Sequence, residues 1–153
     1  MKEGLTYNDV LLVPQYSDIE SRKEVSLSST LGFINCELPI IASPMDTVSE
    51  VAMAKAMDAK GALAIIHRYN SLEDQAKMVA ETGRGNSLVG AAVGTSGDFL
   101  ERAYACYEAG ADVICVDVAH GHHSLMKQAL KLLRQMVGDD VHIMAGNVAT
   151  LEG

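Results

Sequence analysis

Five short, nearly unbroken apolar runs lie at residues 38–43, 62–67, 88–93, 112–117 and 141–145, and their starts are 24 to 29 residues apart. Runs without in-and-out alternation suit strands covered on both faces, and the amphipathic stretches between them suit crossover helices. The pattern therefore predicts an α/β fold built on a parallel sheet. The spacing is slightly tighter than the roughly 31 residues per unit implied by eight repeats in a (β/α)8 barrel of about 250 residues. A doubly wound open sheet has similar spacing, so the repeat alone leaves both architectures open.

Local signals fill in the units. Thr47-Val48-Ser49-Glu50 and Ser71-Leu72-Glu73-Asp74 fit a capping-box pattern and predict helix starts after the first and second runs. Leu100, Ala103, Tyr104 and Tyr107 form one helical stripe, and Leu125, Ala129, Leu132, Leu133 and Met136 form another; both are expected to pack on the sheet. Gly110 and Gly138 stand where helices should end. Residues 1–36 fall outside this rhythm. They hold a run at 10–13 ended by Pro14 and an alternating run at 24–27, and are expected to form an N-terminal arm or hairpin ahead of the repeated region 37–153.

Composition narrows the function classes. With 153 residues, 48% of them hydrophobic and 21% charged, the chain matches one packed domain. A net charge of -8 disfavours a nucleic-acid surface but allows local basic contacts to one phosphate. The apolar runs are far shorter than the ~20 residues of a membrane span, and Met1-Lys2-Glu3-Gly4 opens no signal-peptide pattern. The expectation is a cytoplasmic protein with no membrane partner. Cys36, Cys106 and Cys115 are odd in number and lack a Cys-x-x-Cys pair, which predicts reduced thiols. Cys36 precedes the first strand, Cys106 is expected on the outer face of a helix, and Cys115 inside a buried strand.

In either parallel architecture, ligands gather beyond the carboxyl ends of the strands. The polar residues at those ends are Ser43-Pro44-Met45-Asp46, His67-Arg68, Gly94-Thr95, Asp117 with His120-Gly121-His122-His123, and Gly146-Asn147. All five could line one mouth. The three histidines suggest a metal at first sight, but no acidic or Cys partner has matching spacing, and no metal site is expected. Taken singly, Ser43 and Thr47 could merely satisfy backbone groups in a turn, Met45 could be core, and Asp117 could cap a helix.

Several blocks together are more specific. Leu5-Thr6-Tyr7-Asn8-Asp9-Val10-Leu11-Leu12-Val13-Pro14, Ile41-Ala42-Ser43-Pro44-Met45-Asp46-Thr47-Val48 and Ile65-Ile66-His67-Arg68 resemble the inosine-5'-monophosphate (IMP) dehydrogenase and guanosine monophosphate (GMP) reductase family. So do Gly90-Ala91-Ala92-Val93-Gly94, Asp117 with Ala119-His120-Gly121-His122, and Ala145-Gly146-Asn147-Val148-Ala149-Thr150. Their order is that of the family, over residues 5 to 153. The Ser43-Pro44 pair and Ile66-His67-Arg68 followed by Ser71 look more like the dehydrogenase. The absence of an inserted pair of CBS modules between His67 and Leu88 is shared with the reductases.

The resemblance implies a TIM (β/α)8 barrel of which this chain holds about five units. It implies a purine nucleotide bound over the mouth beside NAD, with NADP as the alternative, and a monovalent cation in the complete enzyme. Ser43 and Met45 would contact the nucleotide, and Asn147 its base or ribose. Asp117 would accept hydrogen bonds from cofactor ribose hydroxyls, Gly94 would allow close backbone approach, and His67 and Arg68 would lie at the adenine end. The family's dehydrogenases oxidise IMP to xanthosine monophosphate through a loop cysteine after the sixth strand. None of the three cysteines here occupies that place, so the chain alone is expected to be inactive. Complete family enzymes are commonly tetramers, which implies a homo-oligomer. A non-catalytic half-barrel serving as a binding or assembly module is the remaining alternative.

Overall fold

The computed structural model describes residues 4–84 and 87–153. Strands β1 (Ser29–Leu31) and β2 (Ile34–Cys36) form an antiparallel hairpin, and β3 (Ile41–Ala42), β4 (Leu63–Ile66), β5 (Gly90–Val93), β6 (Val113–Asp117) and β7 (His142–Gly146) form a parallel sheet. Helices α1 (Val51–Asp58), α2 (Leu72–Gly83), α3 (Phe99–Glu108) and α4 (Ser124–Val137) make the crossovers.

Topology settles what the spacing leaves open. The sheet order is β3-β4-β5-β6-β7, each strand parallel to its chain neighbour, with no reversal of direction across the sheet. A doubly wound sheet turns back at a switch point and carries helices on both faces. Here α1 to α4 line one face, where Ala64, Ile66, Ala91, Val93, Ile114 and Val116 bury themselves against Val79, Ala103, Cys106 and Leu133. The five strands are an arc of a singly wound (β/α)8 barrel.

The opposite face points into the barrel interior. Leu63, Ile65, Ala92, Val113 and Cys115 pack there with Ile34 and Cys36 of the hairpin. Gly90 has a steric reason: a Cβ on it would lie 2.4 Å from Ile65 Cδ1. The hairpin covers the amino end of the interior. Its turn residue Gly32 has φ +58 and sits so close to His142 that a Cβ would meet the imidazole at 2.4 Å, while Phe33 stacks edge-on to the same ring at 5.9 Å. With that end covered, the carboxyl ends of the strands form the mouth.

Residues 4–28 form an exposed arm with only short 3-10 turns at Tyr7–Asp9 and Arg22–Glu24, ahead of the hairpin. Several local expectations are corrected. The first sheet strand shrinks to Ile41–Ala42, since Pro39 has no N–H to donate to a ladder. Thr47 does not cap α1: it adopts φ 59, and the helix begins after Glu50 with no side-chain cap. Ser71 does cap α2, accepting the Asp74 N–H at 3.0 Å. On α4 the buried stripe is Met126, Ala129, Leu133 and Val137, one residue out of phase with Leu125 and Leu132, which are exposed. Cys106 faces the core rather than solvent. Gly110 and Gly138 end their helices with φ +95 and +59, as expected.

A buried polar network ties the second and third units together. Gln75, fully buried, donates through Nε2 to Ala92 O at 2.8 Å and Ile66 O at 3.3 Å, and its Oε1 accepts from Arg102 Nη1 at 2.9 Å. Arg102 Nη2 donates to Asp98 Oδ2 at 2.8 Å and Asn70 O at 3.2 Å. Replacing Gln75 with Leu leaves strand carbonyls and a guanidinium N–H without a partner, at a cost of about 2–4 kcal/mol. Urea unfolding of Gln75→Leu is expected to show a lower midpoint with an unchanged slope.

At the start of β5, Asp58 Oδ1 accepts the Leu88 N–H and Asp112 Oδ2 the Val89 N–H, both at 2.9 Å. Burial pushes the Asp112 carboxyl above the ordinary value of 3.8, with the nearby Asp58 charge adding to it against the hydrogen bonds. The folded state thus binds this proton more readily than the unfolded state, so the contribution of Asp112 to stability falls as pH rises from 3.8 through its raised value. Asp112→Asn abolishes that titration. Its unfolding free energy, measured relative to the parent chain, is expected to improve as pH is raised from acid to neutral.

Candidate functional site

A cavity of 530 Å³ opens at the carboxyl ends of the strands. One wall is the β3–α1 turn, with Ser43, Pro44 and Met45; the other is the end of β6 and β7, with Asp117, Gly146, Asn147 and Val148; Ile41, Ile65, Cys115 and Met144 lie between them on the interior face. Residues far apart in sequence thus converge because each follows a strand of the same arc.

Asn147 and Asp117 are joined directly. The Asn147 Nδ2 donates to Asp117 Oδ1 at 3.3 Å and to Val118 O at 3.0 Å, while its backbone N–H donates to Val118 O at 2.8 Å. The Asn147 carbonyl accepts the Gly121 N–H at 2.7 Å. Gly121 must be glycine at this approach, because a Cβ would stand 2.8 Å from Asn147 O and 3.1 Å from Gly146 C. Its role in the site is missed when the His-Gly-His motif is read for metal chemistry alone.

Ser43 and Met45 line the opposite wall, and Met45 is 56% exposed, leaving its thioether free for a planar ligand. Arg68 and Gly94 lie beside the cavity, not in its lining. The Arg68 guanidinium lies against Gly94, within 3.6 Å of where a Cβ would be, and over the Tyr69 ring at 5.7 Å. Its Nη2 donates to the Asp117 carbonyl at a long 3.4 Å, and its buried Nε has no protein partner.

His67 is not in the lining of the cavity. It is 2% exposed, its Nε2 lies 3.2 Å from Glu50 Oε1, and its Nδ1 accepts the Tyr69 N–H at 3.2 Å. Turned toward the start of α1, the ring offers no face to a ligand. Within the histidine cluster His123 has a structural use, since its Nδ1 accepts the Leu125 N–H at 3.1 Å and caps α4, and the described residues hold no group of three or more metal-ligating side chains suited to a metal ion.

The cavity can therefore offer a carboxylate, an amide, a hydroxyl and a thioether around one ligand. Cys115 at its floor is 8% exposed, and burial together with the Asp117 charge pushes its thiol up to about 11. Burial likewise pushes the Cys106 thiol up to about 12.

Comparison with known proteins matches residues 4–153 to the family model described as IMP dehydrogenase / GMP reductase domain. The chain is similar to inosine-5'-monophosphate dehydrogenase of Cryptosporidium parvum, 32% identical over 194 aligned positions that cover 98% of this chain and 47% of that protein. It is similar to human GMP reductase 1, 35% identical over 155 positions that cover 97% of this chain and 45% of the relative. The inosine-5'-monophosphate dehydrogenase of Nitrosopumilus maritimus is 45% identical over 89 positions, 58% of this chain and 19% of that protein. The chain thus spans less than half the length of these relatives. Matched along nearly its whole length, the chain belongs to the IMP dehydrogenase / GMP reductase domain family.

Proposed function

We propose that this chain supplies the nucleotide and cofactor mouth of a purine nucleotide oxidoreductase that oxidises IMP to xanthosine monophosphate with NAD. The observation that carries this reading is the single cavity that brings Ser43 and Met45 opposite the linked pair Asp117 and Asn147. In this reading Met45 packs on the purine face, Ser43 bonds the nucleotide through its hydroxyl, and Asn147 meets the base or ribose. The whole enzyme is a cytoplasmic homo-oligomer, a tetramer in this reading.

NAD, when bound, would supply the hydride acceptor for oxidation of the purine. The residues fit such a group. Asp117 has acceptor capacity beyond its one long bond from Asn147, which suits ribose hydroxyls, and the Arg68 guanidinium lies with Nη1 against Gly94, beside the cavity, where its charge suits an anionic group. The covalent step belongs to a cysteine outside this chain.

A specific observation supports a second reading. Human GMP reductase 1 aligns over 155 positions with this 153-residue chain, whereas the Cryptosporidium dehydrogenase needs 194, so the spacing of the chain as a whole matches the reductase with fewer gaps. In that case the substrate is GMP and the cofactor NADPH. Calorimetry on the chain separates the two, with IMP binding more tightly than GMP for a dehydrogenase and the reverse for a reductase.

For the favoured reading, IMP is expected to bind the chain, and Asn147→Ala to weaken it about tenfold, as for loss of one or two hydrogen bonds. No NADH should form. A steady rise in NADH absorbance with IMP and NAD would overturn the placement of the nucleophile outside the chain.

The thiols provide a separate check. With Cys115 and Cys106 pushed up to about 11 and about 12, roughly one in a thousand or fewer is thiolate at pH 8. Ellman's reagent is expected to leave both unmodified in the native chain over minutes and to modify them rapidly in urea. Fast native labelling of Cys115 would make it a reactive site thiol.

A further inference from the structure

We propose that Ser49 and His67, neither of which reaches the cavity, are positioning residues that lock the Ser43–Met45 turn in the shape that receives the nucleotide; the ligand half of this proposal rests on the function proposed above.

The turn needs holding. Thr47 is the single non-glycine residue among the described ones with a left-handed backbone, φ 59. Such a conformation is unfavourable for a side chain branched at Cβ and persists only where the surroundings over-determine it. Within the turn, the Met45 N–H donates to Ser43 O at 2.8 Å, and the Val48 and Ser49 N–H groups converge on Met45 O at 3.2 and 2.9 Å. These local bonds leave the turn attached to nothing else.

Ser49 and His67 provide the attachment. Ser49 is 1% exposed, and its hydroxyl donates a hydrogen bond to the carbonyl of Ser43, the cavity residue itself. The Ser49 carbonyl in turn accepts the His67 N–H at 3.3 Å, which fastens the turn to the end of β4. The His67 ring makes a second tie. Because Nδ1 accepts the Tyr69 N–H, the ring proton sits on Nε2, which donates to Glu50 Oε1 at 3.2 Å and has Asp46 Oδ1 at 3.9 Å. Glu50 directly follows Ser49, so one buried imidazole ties the helix side of the turn and, through Tyr69, the segment that carries Arg68.

Neither residue has a structural reason to be polar apart from this. Ser49 and His67 are among the few polar groups buried in the described residues, and every partner they have belongs to the two loops that flank the mouth. An alanine would fill nearly the Ser49 volume and lose only its tie, and a phenylalanine, somewhat larger than the imidazole, would remove both ring nitrogens.

The test uses the 153-residue chain, with Ser49→Ala, His67→Phe and His67→Gln. His67→Gln keeps a donor near the position of Nε2. Amide hydrogen exchange is read at Met45, Val48 and Ser49 and, as reference, in β5 and β6. Expected are exchange at least tenfold faster in the turn for Ser49→Ala and His67→Phe, no change in the reference strands, and partial restoration in His67→Gln. Unchanged turn amides, or acceleration spread evenly over the chain, would overturn the locking role.

IMP titration with a double-mutant cycle then tests the link to the ligand. If Ser49 acts through the turn, Ser49→Ala weakens IMP binding about tenfold in the parent chain and less than twofold when Met45 is already alanine. Equal losses in both backgrounds would overturn that link. An absence of IMP binding in the parent chain would overturn the proposed function and the ligand half of this proposal, while exchange would still decide whether the turn is locked.

Discussion

Each strand of the arc packs its two faces against different surroundings, and most of the structure depends on that division. Outward residues such as Ile66, Val93 and Val116 are buried against helices, whereas inward residues such as Ile65, Val113 and Cys115 pack on one another and on the hairpin. Burial of apolar surface at about 25 cal/mol per Å² favours both layers. The helix layer repeats with every unit, but the inner layer is shared by all strands. Gly90 shows how tightly it is shared, since Ile65 occupies the space that a side chain on the neighbouring strand would need.

Parallel strands have two chemically distinct ends, and the chain uses them differently. At the amino end the hairpin sits over the interior, with Gly32 and Phe33 against His142, and the carboxylates of Asp58 and Asp112 fasten the entry to β5. At the carboxyl end the described residues provide no such cover, and the chain leaves each strand through a loop whose polar groups face a common space. Asp117 and Asn147 therefore meet although thirty positions separate them, because β6 and β7 run in register with Asp117 paired to Gly146. Register, more than any loop conformation, brings the two groups together.

What was legible in the sequence follows the same division. The strands β4 to β7 could be found because both faces are covered, which leaves apolar runs such as Leu63–Ile66 without alternation. That Ser43, Met45, Asp117 and Asn147 share one cavity could be anticipated because they lie at or just past the ends of those runs. What escaped was set by tertiary contact. The rotation of α4, which buries Met126 and exposes Leu125, depends on how the helix settles on the sheet, and both residues suit a helical stripe equally well. Cys106 was misplaced for the same reason. The first strand was overestimated because apolar character says nothing about Pro39, and the arm's apolar residues Leu11 and Leu12 gained no strand partner.

His67 is the most instructive of these cases. It directly follows β4, at a position that suggests a ligand contact, and its neighbour Arg68 does lie beside the mouth. A side chain just past a strand is no longer bound to the inward or outward alternation of the ladder, so its direction depends on the nearest compatible partner. Glu50 and the Tyr69 amide provide an acceptor and a donor spaced for the two ring nitrogens, and the imidazole turns to them. Burying a polar ring without those bonds would be costly, which is why both nitrogens are satisfied together. The result is a division between adjacent residues: His67 bonds to the two loops that flank the mouth, while the Arg68 guanidinium lies against Gly94 beside it. Sequence position identifies the pair, and only the contacts around them assign the two tasks.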